Sequence, residues 1–300
     1  MKVVVGVDAG GSKTLAVAAN GGERVGQAER GPANATSLGV ESAVATILDA
    51  VSEAARGCQV GAVCVGAAGA SRRGVAYPIR QALVKAYPEA QVRIVDDAAI
   101  ALRAAVPDGP GVVVVAGTGS IGYAEDAQGS VHRAGGLGWL IGDEGSGYAV
   151  GLATLREAAK TLDGRGEAHA LLALVREHLP AKDREELLSS VYARSGAHLE
   201  TARVAALAEG VLRLAGEGDR SAGGIVEHAA LDLAALGVDA ARAAGLAQDA
   251  PHVVLAGGLL CAKTPLAQLV QRRIESDIRG AAVARLEREP VEGALALARR

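Results

Sequence analysis

Apolar positions along this chain first fall in short strand-length runs and then at helical spacing, and the sequence makes that passage twice. The first pass opens VVVGVDAGGSKTLAVAANGGERVGQAER, which reads as strand, glycine turn, strand, NGG hairpin and strand. The second opens at Val112 as VVVVAGTGSIGYAEDAQGSVHRAGG, with a GTGS turn and a DAQG turn in the same order. A repeated three-stranded unit predicts two similar domains. After the first unit, Val40, Val44, Ile47, Leu48 and Val51 predict a helix over 37–56. A buried strand at 60–65, a helix at 75–86 that stops before Pro88, a strand at 92–95 and a helix at 98–105 follow. After the second unit, helices are predicted over 144–162, 167–179, 184–192, 200–215 and 222–246. A strand at 252–256, a helix at 265–278, a short strand at 283–286 and a helix at 292–299 complete the pattern. The Pro- and Gly-bearing stretch VPDGPG at 106–111 sets the predicted boundary. It gives an N-terminal domain of residues 1–108, with the C-terminal helix 290–300 packing back on it, and a C-terminal domain of residues 109–289 with extra helices.

Composition narrows the classes of function. Half of the 300 residues are apolar, so a sizeable core is available, but there is no Phe and one Trp. Ala, Gly, Val and Leu must therefore fill it. A net charge of −3 with mixed signs, and so few aromatic rings, give no footprint for nucleic acid. No apolar run reaches the ~18–20 residues of a membrane span. Met1-Lys2 leads directly into a strand, so no signal peptide is predicted and a cytoplasmic location is expected. Cys58, Cys64 and Cys261 form neither a CxxC pair nor an even set, which argues against a zinc site and a disulfide framework. The six His show no HxxxH or HExxH spacing.

The candidate chemistry sits at strand ends. Asp8 ends the first apolar run, and Gly10-Gly11-Ser12-Lys13-Thr14 turn the chain into the next. Glycines let backbone N–H groups approach a phosphate, the hydroxyls of Ser12 and Thr14 add donors, and Asp8 suits Mg²⁺ held through water. Gly117-Thr118-Gly119-Ser120 occupies the same place in the second repeat. One such hairpin is ordinary; two related by the repeat would clamp a triphosphate from both sides. Gly257-Gly258 follows a buried strand and would let adenine and ribose lie against backbone. Asp96-Asp97 end another strand before a helix. A carboxylate there can cap the helix or take the proton from an attacking hydroxyl. Asp143, in GDEGS, can cap a helix or accept from vicinal hydroxyls, and Asn34 is either a turn residue or a polar ligand. Arg72-Arg73 follow a glycine turn and read as a solvated pair.

DAGGSKT, AGTGS and LAGGLL, in this order and spacing, resemble the phosphate 1, phosphate 2 and adenosine elements of the hexokinase and actin superfamily. With Asn34 in GPANATS, Asp97 in VDDAAIAL, GGLGWLIGDEGSGYAVG and PVEGALALA, the chain resembles the N-acetylglucosamine kinase family, grouped with the BadF/BadG/BcrA/BcrD-type ATPases, over nearly its whole length. The resemblance implies an α/β fold of two ribonuclease H-like (actin-like ATPase) domains, each with a mixed sheet, and a cleft between them. It implies ATP and Mg²⁺ as cofactors, an amino sugar as acceptor, and a homodimer. It assigns the base to Asp97, the acid just before Ala-Ala, and sugar contacts to Asn34, Gly69, Asp143 and the Gly135, Gly136, Leu137, Gly138, Trp139 segment. Vertebrate-type members carry Trp within GGWG, where this chain has Leu137, with Trp139 two places later. The expected reaction is phosphorylation of N-acetylglucosamine at O6, with glucosamine and N-acetylmuramic acid as alternative acceptors. A cluster-bearing ATPase activator would need cysteines near the second glycine turn, and none lies between Val65 and Leu260. A non-catalytic sugar sensor would be expected to lose Asp8, Asp97 or the glycine turns, and all are present.

Overall fold

The computed structural model describes residues 1–192 and 200–300, apart from the side chains of Thr36 and Ser37. The chain divides into two units, one of Met1–Gly109 with Leu286–Arg300 and one of Pro110–Arg285. The first unit opens with β1 (Lys2–Ala9), β2 (Thr14–Asn20) and β3 (Glu23–Arg30), then α1 (Ala35–Leu38) and α2 (Val40–Ala55). It continues with β4 (Gln59–Ala67), α3 (Arg73–Ala86), β5 (Gln91–Val95) and α4 (Asp97–Ala105). Its sheet has the order β3-β2-β1-β4-β5, antiparallel across the meander and parallel from β1 to β4 to β5. The second unit repeats the plan with β6 (Gly111–Ala116), β7 (Ser120–Glu125) and β8 (Val131–Gly135), then α5 (Gly147–Leu162). Next come α6 (His169–His178), α7 (Arg184–Val191), α8 (Thr201–Ala205), α9 (Leu207–Gly216) and α10 (Arg220–Ala243). β9 (His252–Ala256), α11 (Gly258–Cys261), α12 (Pro265–Asp277) and β10 (Ala282–Arg285) complete it, and the sheet order is β10-β9-β6-β7-β8. Strand for strand, the two sheets have one topology, so the sequence repeat is a structural repeat. The closing helix, α13 (Pro290–Ala298), belongs to the first unit and lies on β1 and α4.

Alternation explains how β1 is buried on both faces. Val3, Val5 and Val7 pack with Ile47, Val51, Val65, Ile79 and Leu83, while Val4 faces the clusters around Leu295 and Leu297. The second unit gathers Val112, Val114, Leu233, Leu255, Val270 and Ile274 into its own core. The helix expected over 37–56 is interrupted at Gly39, whose φ of 84° is left-handed, so it becomes α1 and α2. The helix expected from Glu144 begins at Gly147, because Ser146 caps it by accepting the Ala149 N–H at 3.2 Å. The stretch 200–215 forms α8 and α9, joined at Ala206, whose backbone stays helical. Among the described residues no helix is long and apolar enough to cross a bilayer.

With no phenylalanine to space the layers, helices rest directly on backbone. A Cβ at Gly26 of β3 would stand 2.0 Å from the Ala54 carbonyl of α2, and one at Gly293 of α13 would stand 1.9 Å from the Ile100 carbonyl of α4. Gly293→Ala is therefore expected to push α13 off α4. Overpacking of this kind costs roughly 1–3 kcal/mol, to be read as a lower urea midpoint at unchanged slope.

Candidate active site

In the first unit the carboxyl ends of three parallel strands share one edge. The register pairs Asp8 of β1 with Gly66 of β4, and Gly66 with Val95 of β5. That edge therefore carries Asp8 and the first glycine turn, the turn holding Gly69, and Asp96-Asp97 at the start of α4. Loops beyond the carboxyl ends of parallel strands are where open α/β sheets bind ligands.

The first turn is closed by Gly10 N–H donating to the Lys13 carbonyl at 3.0 Å, and a Cβ at Gly10 would stand 2.9 Å from that oxygen. Gly11, Ser12 and Lys13 are exposed. Ala33 N–H donates to the Gly10 carbonyl at 3.1 Å, which brings the next residue, Asn34, beside the turn; its Nδ2 lies 3.8 Å from where a Gly11 Cβ would stand. Two side chains depart from the sequence reading. Thr14 is fully buried and its hydroxyl donates to the Gly31 carbonyl at 2.9 Å, so it braces the meander instead of offering a phosphate donor. Lys13 is engaged by Glu29 at 3.0 Å on the surface.

Asp8 is partly buried, and its carboxyl is pushed up to about 6. Burial is the main cause and the negative charge of Asp97 the next; Lys13 opposes the rise and Glu289 adds to it. Glu289 lies just before α13, and no local pattern marks it as a neighbour of Asp8. Asp97 is also pushed up, by burial first, while the Ala98 N–H, donating to its Oδ1 at 2.9 Å, pulls the other way. Gly69 has a φ of 74° and lies under the Arg72 guanidinium, so Arg72, exposed like Arg73, folds back over the turn.

The second unit builds its turn differently. The Gly117 and Thr118 carbonyls accept the Gly147 and Tyr148 N–H groups at 2.8 and 3.1 Å, which ties turn 117–120 to the start of α5. Ser120 is buried and its hydroxyl donates to the Glu144 carbonyl at 2.7 Å, so of the two hydroxyls in this turn only that of Thr118 is exposed. Asp143 is not the helix cap. It sits in the left-handed region at φ 57°, and its Oδ1 accepts the Ser120 N–H at 3.2 Å. The Gly138 N–H also donates to it, so the carboxylate links turn 117–120 to the segment after β8. Burial pushes it up and these backbone donors pull it down. That segment has left-handed Gly135, Gly136 and Gly138 and exposes Leu137, Leu140 and Ile141; Trp139 is 46% exposed, with its ring edge-on to Tyr148 at 5.5 Å. Gly257, at φ 86°, abuts the end of β6: a Cβ would stand 2.3 Å from the Ala116 carbonyl. Gly258 beside it is exposed with open space above it.

Residues 5–298 match the profile of the BadF/BadG/BcrA/BcrD ATPase family. The chain belongs to that family. An N-acetylmuramic acid/N-acetylglucosamine kinase of Clostridium acetobutylicum is 33% identical to it over 65% of this chain and 66% of that one. An N-acetyl-D-glucosamine kinase of Dictyostelium discoideum is 27% identical over 99% of this chain and 98% of its own. A solved structure from Chromobacterium violaceum, of a protein named as a candidate N-acetylglucosamine kinase, superposes with a TM-score of 0.80 at 25% identity, covering 99% of both chains. Membership of this family implies the use of ATP.

A hydrated Mg²⁺ fits what the first unit offers. The Asp8 carboxyl, raised by burial and by the charge of Asp97, is a donor whose ionised form a divalent cation would favour. Mg²⁺ commonly takes one or two carboxylates, keeps several waters and leans on phosphates. Without the metal, Asp8 makes stability depend on pH. Its folded-state value of about 6 lies above the usual one of 3.8, so the folded protein binds the proton more tightly. That contribution is full below pH ~4 and is lost as pH rises through about 6. Two units correspond to about 3 kcal/mol. Urea unfolding in chelator should show this loss between those pH values, and Asp8→Asn should flatten it.

Proposed function

We propose that this protein is an ATP-dependent sugar kinase whose acceptor is an amino sugar, N-acetylglucosamine in the first instance, phosphorylated at O6. The observation that carries the reading is the repeated turn: glycine-rich hairpins at equivalent junctions, β1–β2 and β6–β7, of two sheets of one topology, in a chain of an ATPase family whose relatives are named as kinases of such sugars. The exposed backbone at Gly11-Ser12 and at Thr118 suits phosphate oxygens, and Gly257-Gly258 suits adenosine. Asp97 accepts the proton of the attacking hydroxyl, and its raised affinity for protons makes it a better base. Asn34 and Gly69 of the first unit, and Asp143 with the 135–139 segment of the second, are read as the contacts to the sugar. Asp8 would hold Mg²⁺ through water; the ion neutralises charge on the transferring phosphoryl group. Most of the rate comes from positioning and charge stabilisation. Glucosamine and N-acetylmuramic acid remain alternative acceptors, because Leu137 stands where vertebrate-type relatives carry Trp. A homodimer is part of the reading and is checked by light scattering.

ADP release with Mg·ATP is the test, run against N-acetylglucosamine, glucosamine, N-acetylmuramic acid, mannosamine and glucose. Strong turnover is expected on one amino sugar. Asp97→Asn is expected to lower kcat by roughly 10²–10⁴ with ATP binding retained. Absence of sugar-dependent turnover, with ATP still bound, overturns the reading for these acceptors.

A further inference from the structure

Asp96 occupies the N-cap position of α4, yet its side chain makes no capping bond to that helix. A residue type favoured for capping has been turned elsewhere. Its Oδ1 accepts the Ser71 backbone N–H at 2.9 Å, across the gap between the end of β5 and the turn that follows β4. The carboxylate is buried, at 8% exposure. The parallel ladder between β4 and β5 stops at Gly66 and Val95. The Asp96–Ser71 bond lies just past that last pair and acts as one more rung, made by a side chain. What it holds is a tight turn: Ala70 N–H donates to Ala67 at 3.1 Å, Arg72 N–H donates to Gly69 at 3.0 Å, and Gly69 is left-handed under Arg72. On the other side of the rung, one residue along, is Asp97.

We infer that Asp96 is a positioning residue for phosphoryl transfer: it fixes the 69–71 turn against the backbone of Asp97, so that an acceptor held by that turn presents its hydroxyl to the Asp97 carboxylate. This rests on the reading of Asp97 as the base. A charge-assisted bond to a backbone N–H is short and directional, and a displacement of about 1 Å in acceptor placement is enough for a ~100-fold loss. Loss of the acceptor oxygen in Asp96→Ala would free the turn. Asp96→Asn keeps an oxygen at the same reach, and Asp96→Glu keeps the charge but lengthens the reach.

Steady-state kinetics of the full chain test it, with the sugar and ATP varied separately. Asp96→Ala is expected to lower kcat/KM for the sugar by ~10–100-fold and to leave KM for ATP within about twofold, while Asp96→Asn recovers most of the loss. Should Asp96→Ala fail to fold, the comparison of Glu with Asn decides, and Glu is expected to be the worse enzyme. The inference is overturned if Asn is as damaging as Ala, if Glu matches the wild type while Asn does not, or if the variants lower only Tm or ATP affinity. Asp97→Asn, assayed alongside, separates the two claims: full activity in that variant removes the base assignment itself, whatever the Asp96 series does.

Discussion

Parallel pairing of the first strand of each meander with the strand that returns after the crossover is the constraint on which the rest depends. β1 pairs with β4 through Ala9↔Ala67, and β6 pairs with β9 through Val115↔Ala256. Antiparallel neighbours would send the two chain ends to opposite edges; parallel ones deliver both to the same edge. In the first unit that edge receives Asp8, the Gly69 turn and Asp97. In the second it receives turn 117–120 and the Gly257-Gly258 pair, with Gly257 so close to Ala116 that no side chain fits. Chemistry separated by long stretches of sequence is thus assembled by register alone, twice, by one topology.

Small residues fix how far each helix stands from its sheet. Gly66 of β4 leaves room for Ile100 of α4, whose Cδ1 would lie 2.4 Å from a Cβ there. Gly293 lets α13 settle directly on the backbone of α4 at Ile100 and Ala104. α4 thereby meets both β4 and α13 in contacts with almost no slack, and interiors packed at this density transmit displacement. Asp97 is the first residue of that helix, so its position is set by the packing of Ile100 about one turn away as well as by its own hydrogen bonds.

Both meanders were legible because their strand signals are local: short apolar runs, NGG and DAQG turns, and glycines at strand ends. Two similar domains followed from repetition of that local pattern, and the fold class from the resemblance of the glycine turns and their order to those of the actin-like ATPases. Helix starts were less legible. A period of 3.6 runs through Gly39 without marking it as a break, and it ran back to Glu144 although Ser146 holds the capping bond. Of the site, residue types at strand ends could be named, but not what each side chain touches. Thr14 and Ser120 both looked like donors for a ligand, and both hydroxyls are engaged by backbone carbonyls. Asp143 resembled a cap or a sugar ligand, while its bond to Ser120 joins positions whose proximity no spacing rule encodes. The same holds for Asp96 and Ser71.

The two carboxylates of the first unit differ in a way that separates their roles on the proposed reading. Burial raises both, but Asp97 has a backbone N–H donor at a helix start, a fixed dipole that favours its charged form. Among the described residues Asp8 has no comparable donor; its ionised form is opposed by the charge of Asp97 and relieved by Lys13, a side chain already paired with Glu29. A divalent cation at Asp8 would supply the compensation that burial and the Asp97 charge withhold from its ionised form. Bringing in that charge also lowers the proton affinity of the neighbouring carboxylate, so a base at Asp97 would be tuned by whatever occupies the site at Asp8.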